Sequence, residues 1–329
     1  MKTELKQFRS FLATSTKVVL TTHLNPDADG IGCELALASY LRAKGKQVTI
    51  LNHSVTPDNL RFLDPQGLII HFDEQRHAGF LSDADLICVL DTNHPDRLGG
   101  LKSLVVESKA HKVCIDHHLE PAAFADLYML DELSTATGEI LYRIFCALDG
   151  NSLSREIAEP LYAAIMTDTG SFRYPKTDPE VHRIIAQLIE CGADPVEIYQ
   201  NIYDQGTPGR LRLLGRMLAT LQTDSDGRIA YLTLTRQMFS DTGTAESETD
   251  AFVSYALAIQ GVQIGLLFTE LDQGTVKISF RSKGEIWINK LAKEFGGNGH
   301  KHAAGARVHN ATLSDTIPEV LAHARMHLL

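Results

Sequence analysis

The stretch Lys17-Val18-Val19-Leu20-Thr21-Thr22-His23-Leu24-Asn25-Pro26-Asp27-Ala28-Asp29-Gly30 passes from a short β-branched run into a polar loop, and Leu35, Leu37, Ala38 and Leu41 then fall at helical spacing up to Gly45. Strand, polar loop, helix is the repeating unit of an open α/β sheet, and such sheets bind ligands beyond the carboxyl ends of their strands. Similar apolar runs at 47–51, 67–70, 86–90 and 111–115 extend the pattern and predict a parallel sheet for the first half of the chain. From 134 to 222 the signals are mostly helical. Pro160, Pro179, Pro195 and Pro208 stand where helices should begin, and Gly192 and Gly206 where they should stop. A different pattern follows: alternation over 228–234, a candidate hairpin of 261–270 and 275–280 around Asp272-Gln273-Gly274, and a helix over 286–295. The segment 240–250 reads as a polar loop with no assigned chemistry. The expected architecture is a parallel-sheet α/β domain over 1–190, a helical connector over 191–225 and a smaller α+β domain over 226–329.

Composition limits what such a chain can do. At 329 residues it exceeds the length at which single cores usually split, which again predicts two domains. Lysine and arginine number 31 against 41 aspartates and glutamates, a formal charge of −10. That balance disfavours a broad basic face gripping long duplex nucleic acid, so any polyanion site must be local or built around metal ions. The cysteines (Cys33, Cys88, Cys114, Cys146 and Cys191) are odd in number and form no C-x-x-C pair, against a disulfide framework or a thiolate zinc site. Residues 1–20 carry Lys2, Glu4, Lys6, Arg9 and Lys17, and no later stretch approaches 18 uninterrupted apolar residues. A reducing cytoplasm is the expected address, with no membrane partner.

Chemistry concentrates at the ends of the apolar runs. His23, Asp27 and Asp29 place one imidazole and two carboxylates within seven residues. Mixed nitrogen and oxygen donors of this kind suit Mn²⁺ or a related divalent ion, whereas Zn²⁺ more often recruits thiolates and Ca²⁺ sites lack histidine. The plain alternative is a turn at Asn25-Pro26-Asp27 with Asp29 capping the next helix. Asp91 ends the run 86–90, Asp116-His117-His118 follows Val113-Cys114-Ile115, and Asp168 closes an apolar helical run. Taken singly, each reads equally well as a turn residue or a structural histidine. Together, four tips rich in Asp or His in one domain make a cluster in which a carboxylate can bridge two divalent ions, the arrangement suited to in-line displacement at phosphorus. Phosphoester hydrolysis is the chemistry this pattern fits.

The second domain supplies the counterpart. Between Arg281 and Arg307 six lysines or arginines stand against two glutamates, a local excess in an acidic chain. Gly296, Gly297 and Gly299 would let backbone N–H groups approach a phosphate, and Arg281 and His300 would add charge-assisted bonds.

In this order, the residues resemble the DHH phosphoesterase superfamily, whose name is the triplet found here as Asp116-His117-His118. The loop 23–29 resembles its opening motif, Asp91 its second and Asp168 its fourth. Gly296-Gly297-Asn298-Gly299-His300 with Ala303-Ala304-Gly305 resembles its glycine-rich DHHA1 partner domain, so the likeness covers nearly the whole chain. Cys33 stands where a serine is common, and Asn298 interrupts the run of glycines. The resemblance implies two divalent cations, Mn²⁺ with Mg²⁺ or Co²⁺ as alternatives. His23 and Asp27 would hold one and Asp29, His117 and Asp168 the other, with Asp91 bridging and catalytic. His118 would act near the scissile phosphate. Arg281, Ser282, Gly297, Gly299 and His300 would bind substrate across a cleft between the domains. Length and architecture resemble the stand-alone two-domain oligoribonucleases that also dephosphorylate 3′-phosphoadenosine 5′-phosphate (pAp). The expected substrate is therefore a short RNA or small nucleotide, with a homodimer left open. The rival within the same chemistry is hydrolysis of cyclic dinucleotides or linear pApA. A pyrophosphatase lacks the glycine-rich partner motif, and a silent nucleotide sensor would have lost metal ligands.

Overall fold

In the computed structural model, which describes residues 2–328, the run at Lys17 is strand β1 (Lys17–Thr21), following helix α1 (Lys2–Thr14). β1 is joined by β2 (Gln47–Asn52), β3 (Ile69–His71), β4 (Leu86–Leu90), β5 (His111–Asp116) and β6 (Leu127–Leu130) in a six-stranded sheet. The order is β3-β2-β1-β4-β5-β6 and every pairing is parallel. β4 is buried at all five positions, as a parallel strand covered on both faces must be. One face packs on α2 (Ala28–Ala43), through Leu37 and Leu41, and beyond α3 (Glu74–Ser82) and α4 (Lys102–Glu107) on α5 (Thr137–Asp149) and α6 (Arg155–Asp168). Leu81 of α3 and Val105 of α4 lie in the core on the opposite face. The strand order reverses between β1 and β4, and at such a switch point a crevice opens outside the carboxyl ends of the two strands.

The chain divides after Gln205 into two compact units. α7 (Pro179–Glu190) and α8 (Pro195–Tyr203) belong to the first, where Ile198 and Ile202 of α8 join its core. α9 (Pro208–Leu218) belongs to the second, whose core takes Leu213 and Met217. The stretch 191–225 is thus shared between the units. Pro179, Pro195 and Pro208 do open their helices, but Pro160 lies inside α6, where the sequence pattern expected a helix start.

The second unit continues with β7 (Gln222–Thr223), β8 (Ile229–Leu234), α10 (Arg236–Thr242), α11 (Ser254–Leu257), β9 (Ile264–Leu271), β10 (Thr275–Ser282), α12 (Ile288–Glu294), β11 (Asn298–His300), β12 (Ala303–Val308) and α13 (Leu313–Met326). Its sheet runs β11-β12-β10-β9-β8-β7, antiparallel except for the parallel pair β8–β9. The segment 240–250 is not wholly a loop: it holds the end of α10 and a 3₁₀ turn, Glu246–Thr249. Among the described residues no helix is long and apolar enough to cross a membrane.

Candidate metal centre

Asp27 is the N-cap of α2. Its Oδ1 accepts from the backbone N–H groups of Asp29 at 3.0 Å and Gly30 at 3.2 Å, so the capping falls to Asp27 rather than Asp29. Asp29 instead sits fully buried in the first turn of α2. Its carboxylate accepts from the N–H groups of Thr137 at 2.7 Å and Gly138 at 2.9 Å, filling two of the donors that the start of α5 leaves unpaired. A side chain at Gly138 would press on Ala164 at 2.7 Å, so glycine lets α5 come this close.

His23 leaves β1 buried, with Nδ1 2.8 Å from the carbonyl of Leu24. Donation from Nδ1 to that carbonyl leaves the lone pair on Nε2, which lies 3.3 Å from Asp91 Oδ2 and 3.9 Å from Asp27 Oδ2. Asp91, just beyond β4, holds a left-handed φ of 58° and is also buried. Its Oδ1 accepts from Thr137 Oγ1 at 3.0 Å and lies 3.8 Å from His117 Nε2. The two oxygens of Asp91 therefore face two different sets of donors. His117 Nε2 is 3.2 Å from Asp168 Oδ2, at the end of α6, and 3.9 Å from Asp29 Oδ2. One atom each from His23, Asp27 and Asp91 lie within 4.8 Å of one another, and so do those of Asp29, His117 and Asp168. His118, placed at 3.8 Å from Asp91 Oδ1, completes a third such group with Asp91 and His117.

Electrostatics give the cluster a need for cations. Burial, reinforced by the charge of Asp27, raises the Asp29 carboxyl to about 6. Burial and the neighbouring carboxylates push Asp91 and Asp168 well above the ordinary range. Burial lowers His23 and takes His117 down to about 4, so both rings are neutral at pH 7. Among the described residues, the direct ion-pair partners of these four carboxylates are histidines, and the charge of Lys176, which favours ionised Asp168, does not offset the burial and the neighbouring carboxylates that raise it. Neutral imidazoles presenting Nε2 and crowded, desolvated carboxylates are the donor set that divalent ions of the Mn²⁺ class accept. The residues present fit two such ions.

Three supporting groups lie outside the expected ligand and substrate residues: Thr137 and Asn52, with no signal taken from them, and Asp116, which the sequence offers only as the first member of its triplet. Thr137 holds Asp29 through its N–H and Asp91 through its hydroxyl. Asp116, fully buried, accepts from the N–H of His117 at 2.8 Å and lies 2.7 Å from His118 Nδ1, which fixes that ring. Asn52 Oδ1, at the end of β2, accepts from the N–H of Thr22 at 3.3 Å and its amide donates to buried Glu34 at 2.7 Å. A signal for Thr137 existed in the hydroxyl-rich run Ser134-Thr135-Ala136-Thr137 before an amphipathic helix.

In the second unit, Arg281 and His300 are each directly opposite Ala303, on β10 and β11. Opposed residues share a sheet face, so the two side chains project on the same side. That side is opposite Phe280 and Ala304, which are buried in the core. Ser282, Gly297 and Gly299 also make bonds within the unit. Ser282 is buried and its hydroxyl donates to the carbonyl of Ile286 at 2.7 Å. The expected glycine-rich loop is a hairpin of β11 and β12, and its amides are spent inside the fold. Gly297 N–H donates to Ala292 O at 2.8 Å and Gly299 N–H to Asn298 Oδ1 at 2.9 Å. A Cβ at Gly297 would lie 2.2 Å from the carbonyl of Gly305, so the close approach of these two backbones requires glycine here.

Fold and site together define a phosphoesterase with a ligand cluster at the switch point of its first sheet. The DHH family, N-terminal domain model matches residues 17–165 and the DHHA1 domain model residues 226–328, and the chain belongs to this DHH/DHHA1 family of phosphoester hydrolases. It is similar to the bifunctional oligoribonuclease and PAP phosphatase NrnA of Thermus thermophilus, 31% identical over 96% of this chain and 91% of that one. The protein of the same name from Bacillus subtilis is 27% identical over 96% of each chain. The crystal structure of an exopolyphosphatase-related protein from Bacteroides fragilis matches with a TM-score of 0.92 at 30% identity, covering 100% of this chain and 96% of that one.

Proposed function

We propose that this chain hydrolyses short oligoribonucleotides to mononucleotides and removes the 3′-phosphate of pAp, in a reducing cytoplasm compatible with its five free thiols. The observation that carries the reading is Asp91, whose two oxygens face the His23/Asp27 and the His117 donors separately. Two divalent ions, Mn²⁺ first, would be held by His23, Asp27 and Asp91 and by Asp29, His117, Asp168 and Asp91. When bound, they supply Lewis acidity at phosphorus and a water acidic enough to attack at neutral pH. Thr137 and the start of α5 hold the two innermost carboxylates in place. Asp116 keeps the His118 proton on Nδ1, so Nε2 is the atom that exchanges a hydrogen bond or proton with the phosphoryl or leaving oxygen. Arg281 and His300 bind a phosphate of the nucleotide, and Ser282, Gly297 and Gly299 shape the hairpin that carries them.

The test is a substrate panel with purified protein and Mn²⁺: pAp, pApA, RNA from two to five nucleotides, and cyclic di-AMP. Release of AMP from pAp and of mononucleotides from the short RNAs supports the reading. Turnover of cyclic di-AMP with neither pAp nor RNA cleaved would replace it with the cyclic-dinucleotide alternative.

A further inference from the structure

The one tryptophan of the sequence, Trp287, lies outside the core. The residue is 46% exposed, in the turn between β10 and α12. Nothing in the packing of that turn requires an aromatic: the neighbours Ile288, Leu291 and Ala292 fill the core beneath it. Two cations attend the ring instead. Lys290 Nζ lies 4.7 Å and Lys301 Nζ 5.4 Å from its centroid. The turn is also held firmly. Ile288 N–H donates to the carbonyl of Lys301 at 2.7 Å, and the Ser282 hydroxyl to that of Ile286 at 2.7 Å. The residue bearing the indole is thereby clamped between Ile286 and Ile288 against the tip of the β11–β12 hairpin, one residue beyond His300. Lys301 makes one ion pair here, with Glu285 at 3.2 Å, but Glu285 is 94% exposed, and a surface pair of this kind yields readily to a phosphate.

We infer that Trp287, with Lys290 and Lys301, is a nucleobase platform: a base of the substrate stacks on the indole while the two ammonium groups meet its phosphates. An exposed aromatic among cations is the combination that single-stranded nucleic acid recognises, because every base has a π face and every linkage a negative charge. Stacking of this kind is tolerant of base identity, as a hydrolase that consumes short RNA of any sequence requires. The inference rests on the nucleotide reading above and deepens it by naming what holds the base.

With one tryptophan, emission reports on this ring alone. The metal-free protein is titrated with 5′-AMP and, separately, with ribose 5-phosphate, which carries the same phosphate and no base. AMP quenches the emission and ribose 5-phosphate does not. In parallel, Trp287→Ala raises KM for a trinucleotide about tenfold, and Trp287→Tyr recovers most of the loss. Unchanged emission at saturating AMP, or an unchanged KM in Trp287→Ala, overturns the platform. Hydrolysis by the wild-type protein is scored independently, so a chain that quenches with AMP but cleaves no nucleotide refutes the proposed activity and not the platform.

Discussion

Lowering the pH from 7.5 to 5 should weaken Mn²⁺ binding through the carboxylates of the cluster and not through His117. Asp29, raised to about 6 by burial, is about 90% protonated at pH 5 and nearly fully ionised at pH 7.5. A metal ion must then displace its proton, which costs about 1.4 kcal/mol, or tenfold in affinity, at pH 5. A carboxyl at its ordinary value would add nothing there. Asp91 and Asp168 are raised as well and steepen the fall. His117, lowered to about 4, stays mostly neutral at pH 5, whereas an ordinary histidine would add a further loss of about thirtyfold. Calorimetric titration with Mn²⁺ in buffers of different ionisation enthalpy measures both affinity and protons released. The expected result is at least a tenfold loss of affinity at pH 5 with release of about one proton or more. Affinity unchanged between pH 7.5 and 5, with no proton released, would refute the reasoning.

Three other outcomes follow from named contacts. Thr137→Val removes the hydroxyl donated to Asp91 but keeps the N–H to Asp29, so Mn²⁺ affinity falls about 10- to 100-fold while the melting temperature of the metal-free chain changes little. Calorimetry and a thermal melt separate the two effects. Asp116→Asn weakens the partner that sets the His118 ring, so kcat on pAp falls on the order of 100-fold with Mn²⁺ affinity retained, read by steady-state kinetics. Glu34 is fully buried, raised well above the carboxylate range by that burial, and accepts from Asn52. Its raised pKa means the protonated form is the stable one and ionisation at higher pH is destabilising. Glu34→Gln keeps the acceptor without the charge, so its stability in urea at pH 7 matches or exceeds the wild type, while Glu34→Ala loses about 2 kcal/mol or more by leaving Asn52 unpaired.

Much of this architecture was legible because parallel strands buried on both faces read as plain apolar runs. Leu86-Ile87-Cys88-Val89-Leu90 is the clearest case, and Asp91 at its end pointed to the ligand edge. β6 escaped notice: it is a four-residue edge strand, buried at alternate positions only, and its register comes from β5. Pro160 misled because a proline favours a first turn, where its missing N–H costs no hydrogen bond, whereas α6 carries it beyond its first turn, where the lost bond is a cost that the surrounding burial of Ala158, Leu161 and Tyr162 has to outweigh. The segment 296–305 reads locally as a glycine-rich loop, yet its glycines let two backbones touch, a property of the partner strand rather than of the run itself. In the site, His23, Asp27, Asp29, Asp91, His117 and Asp168 were all visible as element ends. Thr137 was not, because its value lies in reaching Asp29, 108 residues away in sequence.

The most direct test counts ions and follows Asp91 in the same sample. Titration of the metal-free protein with Mn²⁺, alongside turnover of pAp, should give two ions per chain for the wild type. In Asp91→Asn, which keeps the shape but removes the charge shared by both donor groups, tight binding of the pair and hydrolysis should be lost together. An Asp91→Asn protein that binds two Mn²⁺ with wild-type affinity and hydrolyses pAp at the wild-type rate would contradict the account.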